Sequence, residues 1–389
     1  LTTPITFYQQ SSGVTAMTLN FLVTTRAEVL NAKIEEIGEC SVIMIDGTVP
    51  GWKPRSRDWH FDHHRPGGEK IQIDDIEKTI EINAEMGIDL PSQFPKEKDN
   101  NILFCTTQLD ADAICSAVHL YMAYLGTSEK ESQYLWNQDN AEMKLCAISY
   151  DCDHLAVPFL LSKYADFAAQ CVAGMKCESD DLAIDLDMPK DRREWTIEDK
   201  EYFHSRAFER SFWNLVKAIE GKDNWPCDHP KVDEYWEKVK GFTDQLIEEN
   251  RITFYEGCAI VTMSGLGETY IDPRCVYQSI DRMIDNYYDI FPIILTMHDV
   301  IVTKKIDKFT SKKFVGNKYT LACNPYHPDA ETEKINFARL TYSVLSEAEK
   351  FYDPDAEGWS GRATVGESNA CSNLSPPTVI EIILKTCRF

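Results

Sequence analysis

With 389 residues, 43% hydrophobic and 11% aromatic, the chain can bury a sizeable core and is long enough for two domains. No apolar run approaches the roughly 20 residues of a membrane helix. Forty basic against 63 acidic residues give a net charge of −23, a surface that repels long polyanions unless it carries a local basic groove. Long duplex nucleic acid is thereby disfavoured as a partner, and a small phosphorylated substrate is easier to accommodate. The 13 cysteines are an odd number, scattered singly with no CxxC pair, which argues against a zinc ribbon or a thioredoxin-like site. Reduced thiols of a cytoplasmic protein are the expectation. The start, LTTPITFYQQ, has no basic stretch followed by an apolar one and does not read as a secretory signal.

In chain order, MTLNFLVTT (17–25) is strand-like, with β-branched and aromatic residues. RAEVLNAKIEEIG follows with Ala27, Leu30, Ile34 and Ile37 at helical spacing and Gly38 as a stop. SVIMID (41–46) is a short apolar strand suited to a buried parallel sheet. After WHFDHHRPGG (59–68), Ile73, Ile76, Ile80 and Ala84 predict a helix ending at Gly87. NILFCTT (101–107) reads as a third strand, ADAICSAVHLYMAYLG (111–126) as a helix, and KLCAISY (144–150) as a fourth strand. Alternation of this kind predicts a doubly wound α/β domain over 1–160.

From 161 to 250 the pattern is helical and charged, with long amphipathic stretches over 196–221 and 229–250, and reads as a connector. Strands return in CAIVTMS, PIILTMH and KYTLACNP, followed by a helix over 331–352 and a Gly-rich turn. Residues 251–389 therefore read as a smaller α/β domain. The basic run KKIDKFTSKKF (304–314) is read as a solvated hairpin in preference to a phosphate-facing strip.

Ligands in an open parallel sheet bind just beyond the C-terminal ends of strands. Four acidic or histidine stations fall at such places: Asp46 after SVIMI, then HFDHH, then Asp110 and Asp112 in QLDADA, then Asp151, Asp153 and His154 in YDCDH. Taken singly, a strand-end aspartate is more often a turn or capping residue, and DxD and DHH are short motifs. Together within about a hundred residues they point to a cation. Mixed carboxylate and imidazole donors favour Mn²⁺ or a similar ion over Ca²⁺. Two such ions clamp a phosphoryl group and generate hydroxide.

These residues resemble the DHH family of phosphoesterases, named for the triplet matched by Asp62, His63 and His64. The resemblance implies two Mn²⁺ or Mg²⁺ ions and a C-terminal domain with a Gly-rich substrate loop. It implies Asp46 as a bridging ligand, His63 as a ligand, Asp62 orienting a histidine, and His64 beside the substrate phosphate. Asp110 and Asp112 would each bind metal, and the last metal motif falls at Asp151 or Asp153. The DxDA segment normally precedes the triplet, and here it follows, so the order looks circularly permuted. The histidine of the opening motif is replaced near Thr106. His60 or His154 would then stand in, or one ion alone would bind tightly.

GWSGRATVGESNACSNLSPP supplies Gly358, Gly361, Gly366 and Arg362 for a variant substrate loop, and His298 lies at another strand end. Metal-activated hydroxide would attack a nucleotide, short oligonucleotide or phosphate ester, with His64, Arg65 and Arg362 offsetting charge on the phosphoryl group. Two other readings stay open: a non-catalytic nucleotide-binding or sensing descendant, and metal-dependent chemistry on a non-phosphate substrate. No membrane association is expected, and a homodimer is allowed.

Overall fold

The computed structural model describes residues 18–61, 101–122, 141–155, 157, 159–266, 271–284, 292–305, 311–323, 327–330, 332–354, 356, 358–368 and 371–388. The chain divides into two compact units, Leu1–Asp233 and Glu234–Phe389.

The first unit is built on four parallel strands, β1 (Thr18–Val23), β2 (Ser41–Ile45), β3 (Trp59–Phe61) and β4 (Asn101–Thr106), in the order β1-β4-β2-β3. Every residue of β2 is buried, as expected of a strand covered on both sides. The period of two then sorts its side chains. Val42 and Met44 join Leu22, Leu103 and Cys105 beneath Leu30 of helix α1 (Ala27–Ile37). Ile43 and Ile45 join Phe21, Phe104, Trp59 and Phe61 on the opposite face.

That second face is covered by helices. α2 (Ala111–Leu120) is buried on every side, and α3 (Ala141–His154), α4 (Ala165–Asp185) and α5 (Ile197–Ile219) add Leu145, Ile148, Val172, Phe208, Phe212 and Leu215 to one core. Phe212 sits 4.9 Å from Phe21 and 5.7 Å from Phe104, ring centre to ring centre. α5 starts at a capping box in which Thr196 and Asp199 satisfy each other's backbone N–H groups. Helices on both faces of a parallel sheet make this a doubly wound α/β unit.

One predicted strand is a helix. KLCAISY lies inside α3. A short apolar run does not distinguish a buried strand from a buried helix segment, and here Leu145, Ala147 and Ile148 are all enclosed by the helical layer. The helix predicted over 73–84 lies outside the described residues.

The second unit carries a six-stranded mixed sheet, β5 (Ile252–Tyr255), β6 (Cys258–Thr262), β7 (Ile293–Lys305), β8 (Ser311–Cys323), β9 (Ser360–Gly361) and β10 (Val365–Glu367), in the order β5-β6-β7-β8-β10-β9. Only the β6–β7 pair is parallel. Helices α6 (Val232–Glu248) and α7 (Arg274–Met283) cover one face, and α8 (Tyr342–Tyr352) and α9 (Pro376–Thr386) the other. The helical stretch 161–250 is thus shared between units: α4 and α5 enter the first core, α6 the second. Lys304 and Lys305 pair with Lys312 and Ser311 at the far end of the β7–β8 ladder, so the described parts of the basic run lie on two antiparallel strands. The helix predicted over 331–352 is regular only from Tyr342, after a single turn at Phe337–Leu340 capped by Asn336.

Candidate metal centre

β2 and β4 are adjacent and parallel, so their C-terminal ends open on the same side. Asp46 is the first residue beyond β2. It is buried, its backbone turns into the left-handed region with φ of +46°, and its N–H donates to Phe61 O at 2.8 Å. An aspartate tolerates that conformation better than most residues. Gly47 follows with φ of +138°, and a Cβ there would fall 2.0 Å from Thr107 Oγ1. The two strand ends approach this closely because position 47 carries no side chain.

Across that approach, Asp110 caps α2, its Oδ1 accepting from Ala113 N at 3.4 Å. Asp112 lies in the first turn of α2 and is 2% exposed. One carboxylate oxygen from each of Asp46, Asp110 and Asp112 lies within 4.8 Å of the others. Burial, then the charges of Asp112 and Asp46, push the Asp110 carboxyl well above the usual carboxylate range. A hydrogen bond to Asp112 acts in the same direction. Three crowded carboxylates of this kind are chemically suited to a divalent cation, which cancels their repulsion, and oxygen donors alone suit Mg²⁺, Ca²⁺ or Mn²⁺.

The other predicted residues fall at different distances from this cluster. Asp151, buried, and Asp153, half-buried, occupy the last turn of α3. That turn is tied to the first turn of α2 by Cys152 Sγ, which accepts from Ala111 N at 3.4 Å. Neither joins the three-carboxylate group. His60 is engaged elsewhere: its Nε2 is 2.7 Å from Thr48 Oγ1, and its ring meets Trp52 edge-on. It pairs with Met44, on the α1 side of the sheet.

Thr106 Oγ1 lies 2.7 Å from Gln108 O and 3.2 Å from Asp46 O, and accepts from Gln108 N at 3.3 Å. Its hydroxyl thus fastens the β4 turn to β2. Thr106→Val should cost about 1–3 kcal/mol, the penalty for leaving buried polar groups unsatisfied, read as a lower urea midpoint at unchanged slope. Asp62, His63, His64 and Arg65 follow directly after β3 and lie outside the described residues, as does the His154 side chain.

In the second unit, His298 Nε2 stands 3.2 Å from Thr320 Oγ1. Burial and Lys318 lower its basicity. Gly361 and Gly366 face each other across β9 and β10. A Cβ on Gly361 would fall 2.3 Å from Gly366 Cα, and one on Gly366 would fall 2.2 Å from Tyr342 Oη. Arg362 closes this hairpin, its N–H donating to Val365 O at 2.7 Å while its carbonyl accepts from Tyr342 Oη at 2.9 Å. The glycines therefore have a packing reason of their own.

Two features escaped sequence reasoning. One is the Thr107–Gly47 approach, for which the Asp-Gly pair after a strand was the available signal. The other is the clamp at the end of β1, where Arg26 Nε donates to Glu201 at 3.0 Å and Thr24 also bonds Glu201. Its partners are far apart in sequence and carry no motif.

No family model and no curated protein matches the chain. Solved structures similar to it include a pGpG-specific phosphodiesterase, PggH, from Vibrio cholerae, at 8% identity over 90% of this chain and 99% of that one, TM-score 0.31. The DHH domain of a protein described as a member of a ribosomal-protein family aligns at 10% identity over 92% of each chain, TM-score 0.37. An uncharacterised protein from Helicobacter pylori G27 aligns at 10% identity over 90% of this chain and 99% of that one, TM-score 0.18. These superpositions are long but loose. In the aspartates at the ends of β2 and β4, and in the Asp-His-His triplet that follows β3, the chain resembles the DHH phosphoesterases.

Proposed function

We propose that the protein is a divalent-metal-dependent phosphohydrolase of the DHH type, acting on a small phosphorylated substrate: a nucleotide, a short oligonucleotide or a phosphate ester. The observation that carries this reading is the convergence of Asp46, Asp110 and Asp112 within 4.8 Å at the ends of two adjacent parallel strands. Asp46, Asp110 and Asp112 would hold Mn²⁺ or Mg²⁺, with Asp151 or Asp153 approaching from α3 and His63 from beyond β3. A bound ion there would polarise a phosphoryl oxygen and acidify a water.

The chain's own residues set the conditions for that. Burial of Asp46 and Asp112 keeps the local dielectric low, so each carboxylate would hold a bound cation more strongly. Asp110, whose carboxyl holds its proton more tightly than usual, would give that proton up on loading. His64 of the triplet and the adjacent Arg65 are proposed to meet the phosphate, and Arg362 and His298 are proposed as substrate-binding residues of the second unit.

The test is titration of metal-free protein with Mn²⁺, followed by product analysis on nucleotides, short RNA and simple phosphate esters. Mn²⁺ binding with turnover abolished by a chelator is the expected result. Absence of Mn²⁺ binding would overturn the reading. Binding of metal and nucleotide without turnover would instead favour a sensing protein, a reading that draws on Thr106, whose hydroxyl is committed to the backbone where the family places a histidine.

A further inference from the structure

Cys171 and Cys227 lie outside the carboxylate cluster. Cys171 is on α4 and fully buried, and Cys227 is partly exposed in the turn Pro226–Asp228 that precedes α6. Backbone meets backbone here. A Cβ on Gly174, one helical turn beyond Cys171 and on the same face of α4, would fall 1.8 Å from Pro226 O. At this approach each thiol shifts the pKa of the other, that of Cys171 upward and that of Cys227 downward.

All 13 cysteines are free thiols, and three have partial exposure: Cys152, Cys227 and Cys371. Burial and the neighbouring Asp112 and Asp110 keep the Cys152 thiol protonated, which suppresses its reactivity. Cys227 differs. The Cys171 S–H donates to its sulfur and favours the thiolate, and Lys144 acts in the same direction, against burial and Asp228. The Lys144 ammonium is held there over the rings of Phe167 and Trp225, at 5.3 and 5.2 Å. A partly exposed cysteine whose thiol pKa is held below its usual range, beside a second thiol, is the arrangement of a peroxide-reactive cysteine and its resolving partner.

We propose that Cys171 and Cys227 are a redox modification site, forming a reversible disulfide that joins α4 to the turn before α6 when the protein meets a peroxide. The Cys227 thiolate attacks one oxygen of hydrogen peroxide, the O–O bond breaks, and the departing hydroxide takes a proton to become water. Cys227 is then a sulfenic acid. The Cys171 sulfur attacks the Cys227 sulfur, the S–O bond breaks, and the second oxygen leaves as water with the Cys171 proton. Two thiols and one peroxide thus give one disulfide and two waters, with two electrons passing from sulfur to oxygen. The backbone approach at Gly174, three residues from Cys171 and one from Cys227 across the contact, brings the two segments together as the short span of a disulfide requires.

The test exposes the reduced full chain to equimolar hydrogen peroxide, then alkylates it under denaturing conditions for peptide mapping. The expected product is a Cys171–Cys227 linked peptide that dithiothreitol dissolves, with loss of two of the 13 alkylatable thiols. Cys171→Ala should leave Cys227 as a sulfenic acid captured by dimedone. Cys227→Ser, at the partly exposed position, should abolish both products and keeps the test open if the buried change prevents folding. Recovery of Cys171 and Cys227 as separate alkylated peptides, with other cysteines oxidised in their place, would overturn the proposal.

Discussion

Asp112→Asn should be more stable than the parent without metal and less stable than the parent with it. The cluster gathers three carboxylates within 4.8 Å, and Asp112 is 2% exposed. Like charges 4.8 Å apart repel by about 0.9 kcal/mol at the dielectric of water and by about 3.5 kcal/mol at an effective dielectric of about 20. An amide removes that repulsion while keeping the shape and a hydrogen bond toward Asp110. Loss of a ligand oxygen should weaken Mn²⁺ binding by about 100-fold or more, beyond the 10–100-fold seen for residues that only orient a ligand. At a metal concentration about 1,000 times its own Kd, the parent gains about 4.1 kcal/mol from binding, more than the repulsion it carries, and the variant gains far less. Urea unfolding with chelator and with Mn²⁺ should therefore show the two stabilities exchanging order. A variant less stable than the parent in chelator would mean that the cluster's charge is already compensated. Such a sign reversal separates a binding site from a structural feature, because most core substitutions destabilise under every condition.

The second large effect is acid sensitivity centred on His119. This histidine lies on α2 and is 3% exposed. Glu142 Oε1 is 3.9 Å from its Nδ1, too far for a strong hydrogen bond, and burial lowers its pKa to about 3. Between pH 6.5 and 3 the unfolded chain binds a proton at this position and the folded chain does not. Stability is therefore fully present above pH 6.5 and is lost as pH falls toward 3. The slope is about 1.4 kcal/mol per pH unit, or about 3 kcal/mol between pH 6.5 and 4. His204, lowered to about 4 by burial and by Arg192 and Lys200, adds a loss of the same sign. Asp110 acts oppositely in metal-free protein, because its raised pKa means that stability falls as pH rises from the unfolded value. The parent-minus-variant difference for His119→Leu isolates the term. A pH-independent difference in urea midpoint would show that His119 charges freely in the folded state.

Much of the first unit was legible because its signals are local. The apolar runs SVIMI and NILFCT, each fit to be buried on both faces, gave two central parallel strands, and Asp110 with its following apolar run gave the start of α2. From there the rule that sites open at strand ends placed Asp46, Asp110 and Asp112 together. What failed depended on tertiary context. The apolar centre of α3 carries no period that distinguishes helix from strand, and its neighbours in the core decide it. His60 looked available as a ligand because nothing in WHF announces Thr48 and Trp52 as its partners. Gly361 and Gly366 looked like a phosphate cradle, and the structure gives them a further reason, the hairpin packed on Tyr342. The contact between Cys171 and Cys227 joins α4 to a turn beyond α5, and no pattern along the chain predicts it.

The strand order β1-β4-β2-β3 also constrains biosynthesis. Among the described residues β1 has β4 as its single ladder partner, and Asn20 reaches Ile102 O across 82 positions of sequence. At about 5–20 residues per second, a ribosome leaves the β1 edge open for about 4–16 s before its partner is made. During that interval the nascent chain presents an unpaired apolar strand, the kind of edge that invites mispairing. Asp46 meanwhile waits without Asp110 and Asp112. Nascent chains stalled before Asn101 should therefore engage chaperones strongly, and release should coincide with the emergence of the segment that completes the carboxylate cluster.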